Sequence, residues 1–242
     1  MPFYSQYSED SLLFEIFPHQ NGLCVEVGAN DGITFSNTKY FEEIGWTCIL
    51  VEPAPELCRK IRQSRTGHLF ECAASSSVGE LVLHIADGHD LFSSLEAQST
   101  MADELGKLDA VIRSVTVKVR PLDDMLAEAG AQAVDFISID VEGHEMSVLH
   151  GFTLSRWRPR VILIEDKSDL SVTAVEKHLN SNGYCRFYRS GGNDWYAAPG
   201  TISAGFMLAK LFSGRIGIRG LLKVWLPRPF MRRLLQAKRG LR

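Results

Sequence analysis

The stretch LCVEVGANDG at residues 23–32 decides the fold. Residues 23–27 are a short, mostly apolar run, and glycines follow at 28 and 32. Such a run suits a strand covered on both faces, and the two glycines permit a tight turn with close backbone approach before the next helix. The N–H groups at that helix start make the loop a seat for a nucleotide-like ligand. The dinucleotide pattern G-x-G-x-x-G is absent, because Asn30 and Ile33 stand where it needs glycines.

Strand-like and helix-like segments alternate outward from this stretch. An amphipathic helix fits residues 9–17, with Ser8 as its cap and Pro18 as its stop. The strand candidates are Leu23–Val27, Thr47–Val51, Leu69–Ala73, Val134–Ile139 and Val161–Ile164, with helices at 35–44, 55–64, 122–129, 145–151 and 171–182. Tyr184–Tyr188 and Asp194–Ala198 follow as a strand pair around Ser190-Gly191-Gly192-Asn193 and bring the count to seven. Leu81–Ile85 and Val115–Val119 are further strands of alternating character. The order predicts an α/β domain with a mostly parallel seven-stranded sheet and helices on both faces. Residues 87–113 make a long connection of the kind that forms lids or substrate loops.

Composition agrees with one such domain. The chain has 242 residues, 45% hydrophobic and 23% charged, which excludes collagen-like, coiled-coil and wholly disordered classes. Five cysteines with no CxxC pair and no zinc-type spacing suggest a reduced, cytoplasmic setting. MPFYSQYSED at the start lacks a basic region followed by an apolar stretch, so no secretory signal is expected there, and no run of 18 apolar residues predicts a membrane span. The net charge of −3 hides an asymmetry. All 29 acidic and 16 of the 26 basic residues lie at or before Asp194, leaving −13 there, while the last 48 residues carry ten cations and no acid. The expected organisation is a domain over 1–198 and a basic amphipathic tail over 199–242.

In an open parallel sheet the ligand lies beyond the carboxyl ends of the strands, where the strand order reverses. The first strand delivers Glu26, Gly28, Asn30 and Asp31 there. Two carboxylates beside the glycines repel phosphate but suit a ligand carrying an ammonium and a sulfonium. The second strand ends in Glu52-Pro53, 24 residues after Gly28, a spacing at which a carboxylate accepts from both hydroxyls of a ribose. The third ends in Cys72-Ala73-Ala74, small enough to flank a purine, and the fourth in Asp140-Val141-Glu142-Gly143-His144-Glu145. Each has a structural alternative as well: a Gly turn occurs in any α/β protein, and Glu145 suits the dipole of a helix start.

VEVGANDG at 25–32, VEPAPE at 51–56, ECAASSSVGELVLHI at 71–85, VRPLDDML at 119–126 and DFISIDVEGHEMSVLHGF at 135–152 resemble the FkbM family of S-adenosylmethionine-dependent methyltransferases, and SQYSED at 5–10 is similar to that family's opening segment. The resemblance covers about residues 4–198. It implies the Rossmann-like class I methyltransferase fold, S-adenosylmethionine as cofactor, and O-methylation of a saccharide or polyketide hydroxyl, often in surface polysaccharide or antibiotic synthesis. Position by position, it implies that Glu26, Gly28 and Asn30 shape the methionine end with Asp31 nearby. Glu52 and Pro53 would lie at the ribose, Cys72, Ala73 and Ala74 at the adenine, and Asp140 at the sulfonium; Gln6 and Asp10 would close over the cofactor.

For the proton of the acceptor hydroxyl the favoured base is His144, since an unperturbed imidazole titrates near neutrality. Glu142 and Asp140 are its rivals. No metal site is predicted, although a divalent ion held by these acids stays open. The rival function is a catalytically inactive binding or scaffold protein that keeps the fold and attaches to a membrane or partner through its tail.

The tail segment 206–235 sets Arg215, Arg219 and Lys223 at helical spacing opposite Ile216, Ile218, Leu221, Leu222 and Trp225. That pattern suits a helix in the membrane interface, peripheral on its inner face, beside a glycolipid acceptor. Packing on the domain or in a homodimer is the equal alternative. Nucleic acid is not expected, because aliphatic residues outnumber stacking aromatics.

Overall fold

The run Leu23–Val27 forms β1, the centre of a parallel sheet, in a computed structural model of the chain that describes residues 2–19, 21–86, 93–94, 112–166, 173–203 and 205–206. The chain divides into two compact units, residues 1–158 and 159–242.

In the first unit α1 (Glu9–Ile16) precedes β1, and α2 (Lys39–Glu43), β2 (Thr47–Val51), α3 (Pro55–Ser64) and β3 (His68–Phe70) follow it. Two-residue β4 (Ala73–Ala74), β5 (Gly79–Ala86), β6 (Ser93–Ser94), β7 (Ile112–Arg120), α4 (Leu122–Glu128), β8 (Phe136–Ile139), α5 (Glu145–His150) and α6 (Leu154–Trp157) complete it. Strands β3, β2, β1 and β8 lie side by side in that order and all run parallel. The order reverses at β1, which has β2 on one side and β8 on the other. All four residues of β8, and four of the five in β1 and β2, are buried, as strands covered on both faces require. A second sheet takes β4, β7, β5 and β6, with β5 and β7 paired antiparallel from Gly79–Val119 to Ala86–Ile112. Leu83, Ile85 and Val117 of this sheet pack against Ala54 and Leu57 at the start of α3.

The second unit holds β9 (Val161–Glu165), α7 (Ala174–Ser181), β10 (Cys185–Ser190) and β11 (Asn193–Ala197). Strand β11 pairs antiparallel with both β9 and β10. The expected hairpin closes through Gly191-Gly192, with Gly191 in the left-handed region. Thr173 caps α7 by accepting from the Glu176 amide at 3.1 Å. The two units supply the seven strands of the expected α/β class.

Several boundaries differ from the sequence reading. The third strand, expected over Leu69–Ala73, ends at Phe70, and Ala73–Ala74 pairs instead with Val119–Arg120 of the second sheet. The helix expected over 35–44 starts only at Lys39, because Ser36, Asn37 and Thr38 bond to a carboxylate on β1 rather than joining a helix. Ser8 stands before α1 with φ 63° and makes no side-chain cap. The long connection at 87–113 and the tail at 206–235 lie almost wholly outside the described residues. Among the described residues no helix is long and apolar enough to cross a membrane.

That carboxylate is Glu26. Its Oε2 accepts from Ser36 Oγ at 2.7 Å and Thr38 Oγ1 at 2.6 Å, and its Oε1 from the Asn37 amide at 2.7 Å. The guanidinium of Arg65, at the end of α3, lies 3.5 Å from Glu26 Oε2, and its Nε donates to Glu42 Oε2 at 2.7 Å. Arg65 also donates to the Gly32 carbonyl at 2.8 Å and to Thr38 Oγ1 at 2.9 Å. With these three charged side chains between 0% and 7% exposed, removing the cation strands two carboxylates away from water. Arg65→Met is expected to cost about 3–5 kcal/mol in urea unfolding. Adding Glu26→Gln should recover part of that loss, since a buried amide is cheaper to leave underbonded than a buried charge.

Candidate active site

Backbone geometry at the carboxyl end of β1 brings the strand ends together. The amides of Gly28 and Ala29 both donate to the Val51 carbonyl, at 2.9 and 3.1 Å, and the Asp140 amide donates to the Val27 carbonyl at 3.0 Å. The loop after β1 is thereby pinned between β2 and β8. Gly28 has φ +84°, and a Cβ there would stand 1.8 Å from the Asp140 carbonyl oxygen, so only glycine fits. Asn30 takes φ +51° without being glycine, and its amide donates to Glu52 Oε2 at 2.9 Å. Its side-chain Oδ1 is buried with no hydrogen-bond partner among the described residues.

Glu52, at the end of β2, is 3% exposed. Its Oε2 accepts from Asn30 N, and its Oε1 from Ala54 N at 2.9 Å. A carboxylate offers about four lone-pair directions, so each oxygen retains one. Burial pushes this carboxyl up to about 7, partly offset by the two amide bonds.

The turn after β8 carries the second cluster. Glu142 and Gly143 both have positive φ, 51° and 101°. Asp140 is exposed, and Glu142 and His144 are half-buried. Glu145 turns inward and accepts from Gly143 N at 3.1 Å, and burial raises its carboxyl above the ordinary range. It therefore serves its own turn, the alternative weighed for it on sequence. His144 stands immediately before α5, with its ring Nε2 3.2 Å from Ser75 Oγ.

Other residues of the expected set sit differently. Glu26 is a support beneath the loop: its Oε2 accepts from Ser36 and Thr38 with Arg65 3.5 Å away, and its Oε1 accepts from the Asn37 amide, which leaves one direction on Oε1. Asp31 accepts from the Ile33 and Thr34 amides at 2.9 and 2.7 Å and from Thr34 Oγ1 at 2.7 Å. Partial burial alone would raise this carboxyl, but those bonds outweigh it and hold Asp31 below its ordinary value. Cys72 is buried with its thiol 3.6 Å from Met125 Sδ, so the thiol faces the core; Ala73 and Ala74 are buried beside β7. Pro53 is half-buried between Glu52 and the start of α3. Gln6 is exposed on the segment before α1, which meets the loop through a Ser5–Phe35 bridge. Asp10 is fully buried and accepts from Ser5 Oγ, from the Tyr4 and Ser5 amides and from the Ser11 amide, so its carboxylate orders that segment.

Sequence reasoning missed Arg65 and Ser75. Arg65 lies in a basic helix end that reads as solvated, and Ser75 in a run of serines without periodicity; neither carries a local signal of its partner.

Residues 26–185 match the model of the methyltransferase FkbM domain. The 2-O-methyltransferase NoeI of Sinorhizobium fredii (strain NBRC 101917 / NGR234) is 28% identical over 155 residues, covering 58% of this chain, and the match spans 61% of that relative's length. Among solved structures, a precorrin-6y C5,15-methyltransferase from Geobacter metallireducens GS-15 aligns with a TM-score of 0.44 at 11% identity, over 79% of this chain and 86% of that one. The TrmK of M. capricolum, solved with S-adenosyl-homocysteine, aligns with a TM-score of 0.39 at 10% identity, over 81% of this chain and 68% of that one. With the family model matching well over half of its length, the chain belongs to the FkbM methyltransferase family.

Proposed function

We propose that the protein transfers a methyl group from S-adenosylmethionine to a hydroxyl of a saccharide or glycoconjugate. The observation that carries this reading is Glu52: a buried carboxylate at the strand-order reversal with one acceptor direction left on each oxygen, matching the two hydroxyls of a ribose. Two further features fit the same cofactor. Gly28 leaves bare backbone where a side chain would collide, and Asn30 Oδ1 is a buried acceptor suited to an ammonium. When bound, S-adenosylmethionine supplies a methyl carbon made electrophilic by its sulfonium. Oxygen as the acceptor atom is supported by the relative described as a 2-O-methyltransferase, and a saccharide as its carrier by the family resemblance.

The chain's own residues then have three tasks. Glu52 and Asn30 hold the cofactor, the turn 140–144 orients the acceptor, and His144 takes the hydroxyl proton. Orientation carries most of the rate: near-attack geometry supplies roughly 7–11 kcal/mol, against the 10²–10⁴-fold typical of a positioned base. Glu142 and Asp140 remain the rivals of His144 for proton removal.

The direct test is a transfer assay with methyl-labelled cofactor against extracted glycans and glycolipids. Label in a glycan ether supports the reading; binding of cofactor with label only in protein or small amines overturns the acceptor class. His144→Gln should leave cofactor affinity unchanged and lower turnover by about 10²–10⁴-fold.

Cofactor affinity should depend on pH through Glu52. The free carboxyl is protonated below about 7, and two hydroxyl donors require it ionised, so binding releases a proton at low pH. Calorimetry should find affinity rising as pH climbs toward 7, by at most about tenfold per unit, and flat above it. Glu52→Gln should weaken binding by about 10–100-fold and flatten that profile.

A further inference from the structure

We propose that Ser75 is the positioning residue for the His144 imidazole, accepting its Nε2–H and so holding the neutral ring with its lone pair on Nδ1. Nothing in the strand-end reading includes Ser75. The observation is its hydroxyl, 3.2 Å from His144 Nε2, on a residue only 6% exposed.

Ser75 is held rigidly enough to impose a geometry. Its amide donates to the Arg120 carbonyl at 2.9 Å, continuing the β4–β7 pairing by one residue. On its other side the Ser75 carbonyl lies 2.0 Å from where a Cβ on Gly151 would be, so the chain after α5 passes against it at a distance only glycine allows. The backbone of Ser75 is thus fixed between β7 and the end of α5, while the ring it meets stands at the beginning of that helix. His144 itself is anchored by its amide, which donates to the Val141 carbonyl at 3.3 Å, and by its carbonyl, which accepts from Ser147 and Val148. With both backbones set, the contact to the Ser75 hydroxyl fixes how the ring is turned.

The chemistry favours this direction of the bond. An imidazolium donates from both nitrogens, so the hydroxyl must accept once the ring has taken up a proton, and the Nε2–H ring reaches that state through Nδ1 without the hydroxyl turning round. The bond orients a base and stabilises its product without moving a proton itself. The proposal rests on His144 as the base in its functional meaning, but the contact and the tautomer are testable without that assignment.

Long-range ¹H–¹⁵N correlation on the full-length protein reads the tautomer directly. His144 is expected as the Nε2–H form. Ser75→Ala should shift it toward a mixture of tautomers, Ser75→Cys, a weaker acceptor of similar shape, should fall between, and Ser75→Thr should restore the wild-type signature. An Nδ1–H ring in the wild type, or a tautomer unchanged in folded Ser75→Ala and Ser75→Cys, overturns the proposal. His144→Gln in the transfer assay separates the two readings: retained turnover there, with a Ser75-dependent tautomer, removes His144 as base while leaving the positioning contact in place.

Discussion

The buried pairing of Glu26 with Arg65 sets the shape of everything above it. A carboxylate at the end of the central strand, cut off from water, must find donors, and those it finds are Ser36, Asn37 and Thr38 of the following loop and the guanidinium of Arg65. These bonds draw the loop down over the strand end and delay the start of α2 to Lys39. Arg65 in turn clamps the Gly32 carbonyl and ties in Glu42. Such an ensemble contributes little net stability by its Coulombic attraction, because desolvation offsets it, but it tolerates the loss of no single member. Its effect is geometric: the loop is tied down onto the strand end, while the side-chain oxygens of Asn30 and Asn37 are left buried without a partner among the described residues.

The acids at the strand ends differ in how far the protein's own groups use them. Glu26, Asp31, Asp10 and Glu145 are all committed to the protein's own amides, hydroxyls or cations. Glu52 occupies an intermediate position, half-committed to Asn30 and Ala54. This sharpens the electrostatic picture. The end of β2 differs from these. It presents one buried acid of raised affinity for its proton, beside backbone that only glycine leaves open.

Most of the fold was legible because it is written in local periodicity. The apolar run 23–27, the equally apolar Thr47–Val51, and the Gly-Gly turn between β10 and β11 each need only neighbouring residues to be read. Two of the departures share one cause. Leu69–Ala73 reads as a single strand, yet Phe70 and Ala73 end up in different sheets, because the second sheet offers Ala73 a pairing with Val119 that lies 46 positions away. Residues 35–38 read as helix, yet their polar side chains find a better partner in a carboxylate ten or so positions back. In both places a distant partner overrides local preference.

The sequence alone determined the family, the alternation of strands and helices, and the set of strand ends at which ligand chemistry is expected, since these depend on residue type, spacing and hydrophobic period. It could not determine which acids face a ligand and which are consumed internally. Glu26 and Glu52 look alike in the chain, each an acid at a strand end. Only the arrival of Arg65 from α3 beneath one, and of two backbone amides at the other, sets them apart. The same holds for His144, whose ring is met by Ser75 from another sheet. Hydrogen bonds and buried charge pairs form between groups that are near in space and remote in sequence, so their assignment belongs to the tertiary structure.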